Sequence, residues 1–147
     1  MKISTKGRYG LRVMIELAAH YGQGPLLVDT IARNQDISAK YIHVLMAGLK
    51  SGGFIRSMRG PSGGYELAMP PERITALEVV RTLEGDLAPV DCVTDAAACT
   101  RSHTCATRDM WCEVGQAVAG VLSGYTLAEL ARRQADKTDN QAPAYAI

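Results

Sequence analysis

The chain has 147 residues, 47% of them hydrophobic and 21% charged, with a net charge of +1. That length supports a buried core and suggests one domain, at most with an extension. No apolar run approaches the roughly 18 residues of a membrane span. The opening MKISTKGRYG lacks the apolar core of a secretory signal, so a cytoplasmic location is expected. The near-neutral total hides an asymmetry. Residues 1–75 carry ten Lys and Arg against five acids, and residues 76–147 carry six against ten. A basic first half suggests that this half meets a polyanion.

Taken in chain order, Arg8 to Tyr21 reads as a helix, with Leu11, Met14, Ile15, Ala18 and Tyr21 at helical spacing. The stretch GQGP at 22–25 stops it. Val28 to Asn34 is a short second helix with Ile31 and Ala32 inward. Ser38 is a good N-cap for a third helix that buries Ile42, Leu45, Met46 and Leu49 and ends at Gly52 and Gly53. Phe54 to Met58 and Tyr65 to Ala68 read as short strands around a Gly/Pro turn. Thr75 and Glu78 form a capping box that opens a helix through Leu83. A segment of about 18 residues then has no regular pattern, and structureless stretches of that length tend to be functional. Cys105 to about Leu122 reads as a longer helix. Trp111, Val114, Val118 and Val121 make a seam of coiled-coil type along it. Thr126 and Glu129 suggest a second capping box, starting a helix to about Gln134. The polar remainder is expected to be a flexible tail.

Two helices joined by a turn, the second capped and polar at its start, followed by a Gly-rich hairpin, make a winged helix-turn-helix pattern. The recognition helix must present short polar side chains at its N-terminal end, where base edges are reached. Ser38, Ala39, Lys40, Tyr41 and His43 stand there. The wing must present cations on a tight turn, and Arg56 and Arg59 beside GPSGG fit. The alternative is a plain three-helix bundle with a surface hairpin. A phosphate loop is excluded, because GPSGG lacks a Gly-Lys-Ser/Thr ending and a following helix.

The stretches STKGRYG, ISAKYIHVLMAGLKSGGFIRSMRGPSGGY and ITALEVVRTLEG resemble the Rrf-two family of bacterial winged-helix transcriptional regulators. The resemblance runs from Met1 to about Leu130. It implies a mainly helical fold: a winged helix-turn-helix domain with a small β-hairpin wing, plus a long dimerisation helix. It further implies a homodimer joined through that helix, at Trp111, Val114, Val118 and Val121. The partner it implies is double-stranded DNA with a partly palindromic operator. By motif position, DNA contacts fall to Ser38, Lys40, Tyr41, His43 and Arg59, with Lys6 near the backbone. The family often has an acidic or amide residue where His43 stands.

Three of the four cysteines, Cys92, Cys99 and Cys105, lie within 14 residues in the spacing C-x6-C-x5-C, and Cys112 follows. Clustered thiols in a cytosolic chain point to metal binding or redox chemistry rather than structural disulfides. Thiolates are soft donors suited to iron–sulfur clusters or zinc. The spacing is looser than the paired cysteines of zinc ribbons. In the IscR-like, cluster-binding branch of the family, three cysteines stand in this loop. The resemblance therefore implies Cys92, Cys99 and Cys105 as ligands to an iron–sulfur cluster of the [2Fe–2S] type.

That branch has a His three residues after the last cysteine, whereas this chain has Arg108, which has no lone pair to donate. Other branches use an acidic or His residue near the partner's N-terminus, where this chain has Arg8 and Arg12. The candidate fourth ligands are then His103 or Cys112, with Asp109 and Asp91 behind them. Cys112 has a competing reading as a small buried residue of the dimer seam. A thiol switch that forms a disulfide without any cluster is the alternative for the whole loop.

The ending PAYAI resembles that of a CymR-like branch, which partners cysteine synthase, so Tyr145 and Ile147 are candidate docking residues. The domain plan expected is residues 1–85 as the winged domain and 86–104 as the cysteine loop. Residues 105–135 follow as the dimerisation and C-terminal helices, and 136–147 as the tail. No C-x-x-C, nucleophile elbow or nucleotide motif suggests an enzyme. The function expected is transcriptional regulation of iron–sulfur or cysteine metabolism genes.

Overall fold

The computed structural model describes residues 2–141. Seven helices and one hairpin follow in order: α1 (Thr5–Ala19), α2 (Val28–Gln35), α3 (Ala39–Ser51), β1 (Ile55–Met58), β2 (Gly64–Leu67), α4 (Ala76–Glu84), α5 (Asp91–Thr94), α6 (Ala106–Ser123) and α7 (Leu127–Gln141). Single 3₁₀ turns lie at Pro71–Arg73 and Ala96–Ala98.

Three helices of the winged domain, α1, α3 and α4, start where a side chain satisfies free N–H groups of the first turn, while Leu27 at the start of α2 supplies none. The Ser4 hydroxyl accepts from the Lys6 N–H at 3.0 Å, so α1 begins at Thr5, three residues before the apolar pattern suggests. Ser38 caps α3 by accepting from the Tyr41 N–H. Thr75 and Glu78 complete the capping box of α4. The Glu78 carboxyl is held below its ordinary range, first by the Thr75 hydroxyl (2.7 Å) and then by the Thr75 N–H (2.8 Å).

The core gathers Val13, Met14 and Leu17 of α1, Ile31 of α2, Ile42, Leu45, Met46 and Leu49 of α3, and Val79 and Leu83 of α4. Tyr21, expected on the buried face of α1, lies beyond its end and is exposed. Two glycines let α1 and α4 touch. A side chain at Gly7 would run into Glu84, and one at Gly10 into Leu83. In that space Glu84 accepts from the Gly7 N–H at 2.8 Å and from the Ser4 N–H at 3.1 Å, tying the start of α1 to the end of α4. The strands pair antiparallel, with Arg56 opposite Glu66 and Ser57 opposite Tyr65. Leu26 joins the hairpin through two hydrogen bonds with Tyr65.

The segment before α6 is not wholly irregular, since α5 and a 3₁₀ turn interrupt it. The capping box at Thr126 is half made. Thr126 accepts from the Glu129 N–H at 3.2 Å, while the Glu129 carboxylate pairs with Arg132 (2.6 Å) and Arg133 (2.9 Å) instead. α7 corrects the expected length of the last helix and the expected start of the tail at residue 136. The helix passes Gln134 and continues to Gln141, because no glycine or proline interrupts residues 127–141 and α7 packs along α1. Leu127, fully buried, plugs it into the core. Tyr145 and Ile147 lie outside the described residues.

Candidate nucleic-acid interface and thiol loop

The candidate recognition surface is the solvent face of α3. Ser38, Lys40, His43 and Lys50 are exposed along it, on the opposite side from Ile42, Leu45, Met46 and Leu49. Tyr41 is half-buried, and its ring meets Tyr9 edge-on at 6.1 Å. The Tyr9 ring in turn lies beneath the guanidinium groups of Arg8 and Arg12. Arg12 also donates from Nε to Gln35 Oε1 at 3.2 Å, fastening α1 to the end of α2. Lys6 is half-exposed in the first turn of α1. Val44 has 51% of its surface exposed in the middle of the α3 face. The apolar pattern did not mark it, because a valine on a polar helix face looks like ordinary noise until burial is known.

The two wing arginines differ. Arg56 donates from Nε to Glu66 Oε1 across the strand pair at 2.7 Å. Arg59 stands at the turn, exposed, and takes part in no ion pair among the described residues. Lys50 donates from Nζ to the Ser57 hydroxyl at 2.8 Å, joining α3 to the wing.

The thiol loop runs along the start of α6. None of the four cysteines is in a disulfide; Cys99 is exposed, and Cys92, Cys105 and Cys112 are half-buried. Cys105 is the N-cap of α6. Its sulfur lies 3.1 Å from the Thr107 hydroxyl. That hydroxyl first, then the Arg108 N–H and the charge of Arg101, hold its thiol below the ordinary value. Arg108 stands where a ligating His was expected. It donates from Nε to the Cys92 carbonyl at 2.7 Å, so it straps the loop to α6. Ser102 is buried, and its hydroxyl bonds the Cys99 carbonyl at 2.7 Å. His103, Asp91 and Asp109 are exposed. Among the described residues, no three His, Cys, Asp or Glu side chains come together as a metal site.

α6 has no buried residue within its own chain. Met110, Trp111 and Val121 are exposed, and Val114 and Val118 half-exposed, along one side. Met110 joins the stripe without having been singled out from the sequence. Cys112 does not belong to this stripe. At about 100° per residue it falls on the other side of the helix, with Arg108 and Gln116, and it lines a cavity with Val93 and Thr94 of α5. Its reading as a seam residue is therefore corrected.

Comparison with known proteins identifies the family of this chain, a winged domain followed by a thiol loop and a helix with an apolar stripe. The family model described as Rrf2, iron-dependent transcriptional regulator, matches residues 3–133. The chain belongs to the Rrf2 family of transcriptional regulators. It is 41% identical to the HTH-type transcriptional regulator CymR of Bacillus subtilis over 145 residues, 99% of this chain and 97% of the relative. Its fold is similar to the solved structure of CymR, described as the global cysteine regulator of B. subtilis, with a TM-score of 0.78, 41% identity and coverage of 90% of this chain and 98% of that one. It is also similar to the structure of T. potens IscR, with a TM-score of 0.73, 33% identity and coverage of 100% and 93%. The mainly helical winged fold with one small antiparallel hairpin agrees with these relatives.

Proposed function

We propose that this regulator is a homodimer that binds a partly palindromic operator and adjusts its affinity through the state of the 86–104 thiol loop. The observation that supports it most is the Arg108 strap. One side chain of α6, 2.7 Å from the Cys92 carbonyl, holds the thiol loop against the helix whose other side offers a continuous apolar stripe for a second copy. On each protomer Ser38, Lys40, Tyr41 and His43 would face base edges, and Lys6, Arg56 and Arg59 the phosphates or the minor groove. A second protomer covering Trp111, Val114, Val118 and Val121 would set the spacing of the two recognition helices.

The donor chemistry of the loop fits an iron–sulfur centre, three unpaired thiols on one exposed segment. Cys92, Cys99 and Cys105 would hold it, as a [2Fe–2S] centre by likeness to the IscR-like branch, with His103 or Cys112 as the candidate fourth ligand. The centre would supply a link, sensitive to iron and oxidation, between α5 and the start of α6. Because the sulfurs are not gathered in this conformation, loading requires the segment to rearrange. A ligand changes operator affinity only as far as it binds the two loop conformations unequally.

The experiment is purification without oxygen, with visible spectroscopy and iron and acid-labile sulfide analysis, followed by binding of loaded and apo protein to a palindromic duplex. Equal affinity of the two forms, or a colourless protein without iron after reconstitution, would refute the cluster reading.

The lowered Cys105 thiol favours a second reading, a disulfide or oxidation switch in the same loop without a cluster. The likeness to CymR supports sulfur or cysteine genes as targets. Docking of Tyr145 and Ile147 on cysteine synthase is tested by deleting residues 145–147 and measuring complex formation.

A further inference from the structure

The side of α6 that faces its own chain lines an open cavity of about 300 Å³. Arg81 reaches it from the last turn of α4, Asp86 and Leu87 from the connector, Val93 from α5, and Cys112 and Gln116 from α6. The apolar stripe lies on another side of α6, roughly 130° around the helix, so a second protomer seated on that stripe leaves the cavity open.

The chemistry of the walls is selective. The cavity carries one cation and one anion. Arg81 takes part in no ion pair among the described residues. Asp86 is kept ionised, first by the Thr94 hydroxyl, then by the Ala88 N–H at 3.0 Å, with a smaller contribution from the charge of Arg81. The Leu87 N–H bonds the same carboxylate, and a carboxylate has about four acceptor sites, so about one remains for a ligand. Leu87, Val93, Cys112 and Gln116 line the same cavity. The volume is at the small end of ligand pockets, so the occupant is small. An occupant that carries an anion and a cation together, with a short apolar or sulfur-bearing side chain, matches these walls.

We propose that this cavity binds a free α-amino acid, with its carboxylate on Arg81, its ammonium on Asp86, and its side chain against Leu87, Val93 and Cys112. The ligand would bridge α4 of the winged domain to α6. It would therefore favour one angle between recognition helix and dimer helix, and reach the operator by a route that needs neither cluster nor disulfide.

The test uses the full-length chain with Cys92, Cys99 and Cys105 all replaced by serine, under reducing conditions, so that the thiol loop contributes nothing. L-cysteine, L-methionine, L-valine and L-leucine are titrated calorimetrically, with acetate and ethylamine as single-charge probes. The expected result is saturable binding of at least one amino acid with a Kd of about 1 mM or tighter, and none of acetate or ethylamine. Arg81→Gln and Asp86→Asn, both at exposed positions, should each weaken it roughly tenfold or more. Amide chemical-shift changes should centre on residues 81–88 and 112–119. No saturable binding of any of the four, or binding unchanged in both variants, overturns the proposal.

Discussion

Replacing Arg59 by alanine should remove a phosphate or minor-groove contact, and replacing Arg56 should remove much less. The reason is the different pairing of two arginines on one hairpin. The Arg56 guanidinium is 2.7 Å from the Glu66 carboxylate, so much of its charge is answered before DNA arrives. Arg59, at the exposed turn, enters no ion pair among the described residues. Each phosphate neutralised adds about 0.9 to the slope of log K against log salt. A dimer with both wings engaged should therefore lose about 1.8 from that slope when both Arg59 side chains are removed. Between about 50 and 200 mM salt, the affinity deficit of Arg59→Ala should then shrink about twelvefold. Fluorescence anisotropy on a selected palindromic duplex at four or five salt concentrations measures both slopes. Glu66→Gln adds a check, since it frees Arg56 and should steepen the slope. Parallel lines for wild type and Arg59→Ala, or a larger loss with Arg56→Ala, would refute the assignment.

Val44, half-exposed on the recognition face, should pack on a thymine methyl. Replacing the contacted thymine by deoxyuracil should cost wild-type protein roughly fourfold in affinity, from about 0.8 kcal/mol for one buried methyl, and cost Val44→Ala nothing. Leu127→Ala should lower the unfolding free energy by about 2–5 kcal/mol, because Leu127 is fully buried among core residues; a denaturant melt reads this directly. Thr75→Ala should cost about 1 kcal/mol through loss of the α4 cap. The stabilising hydrogen bonds on Glu78 lower its folded pKa, so their contribution is present above the unfolded pKa and lost as pH falls through the folded one. Thr75→Ala should flatten that acid limb. Cys105 should alkylate with a pH midpoint below that of an ordinary thiol, and Thr107→Val should move the midpoint up.

What was legible from residue order was the local part. Ser38, Thr75 and the glycines after α3 carry their signals within four residues, so the winged domain could be laid out with small errors at its ends. The contacts that join distant segments left no such trace. Nothing near Glu84 announces that it holds the start of α1, 77 residues away. Arg108 was readable only as a residue that cannot ligate, and its bond to the Cys92 carbonyl came from the packing of the loop. The extra turns of α7 were missed because polar residues hid a helix that is held by its contacts with α1. The cavity beside Cys112 depends on four segments meeting, which periodicity along one helix cannot show.

The junction at residues 74–76 and 125–127 has a mechanical consequence. The Ala76 N–H bonds the Tyr125 carbonyl at 2.9 Å, and the Leu127 N–H bonds the Ile74 carbonyl at 2.9 Å. These bonds pin the far end of α6 to the winged domain of its own chain, while Arg108 in its first turn bonds the thiol loop. The helix is thus a lever about 27 Å long with its fulcrum at the C-terminal end. A tilt of about 5° there would move the first turn by about 2.4 Å. Loosening or tightening a loop of some twenty residues at that end is therefore a small input applied where the helix moves most.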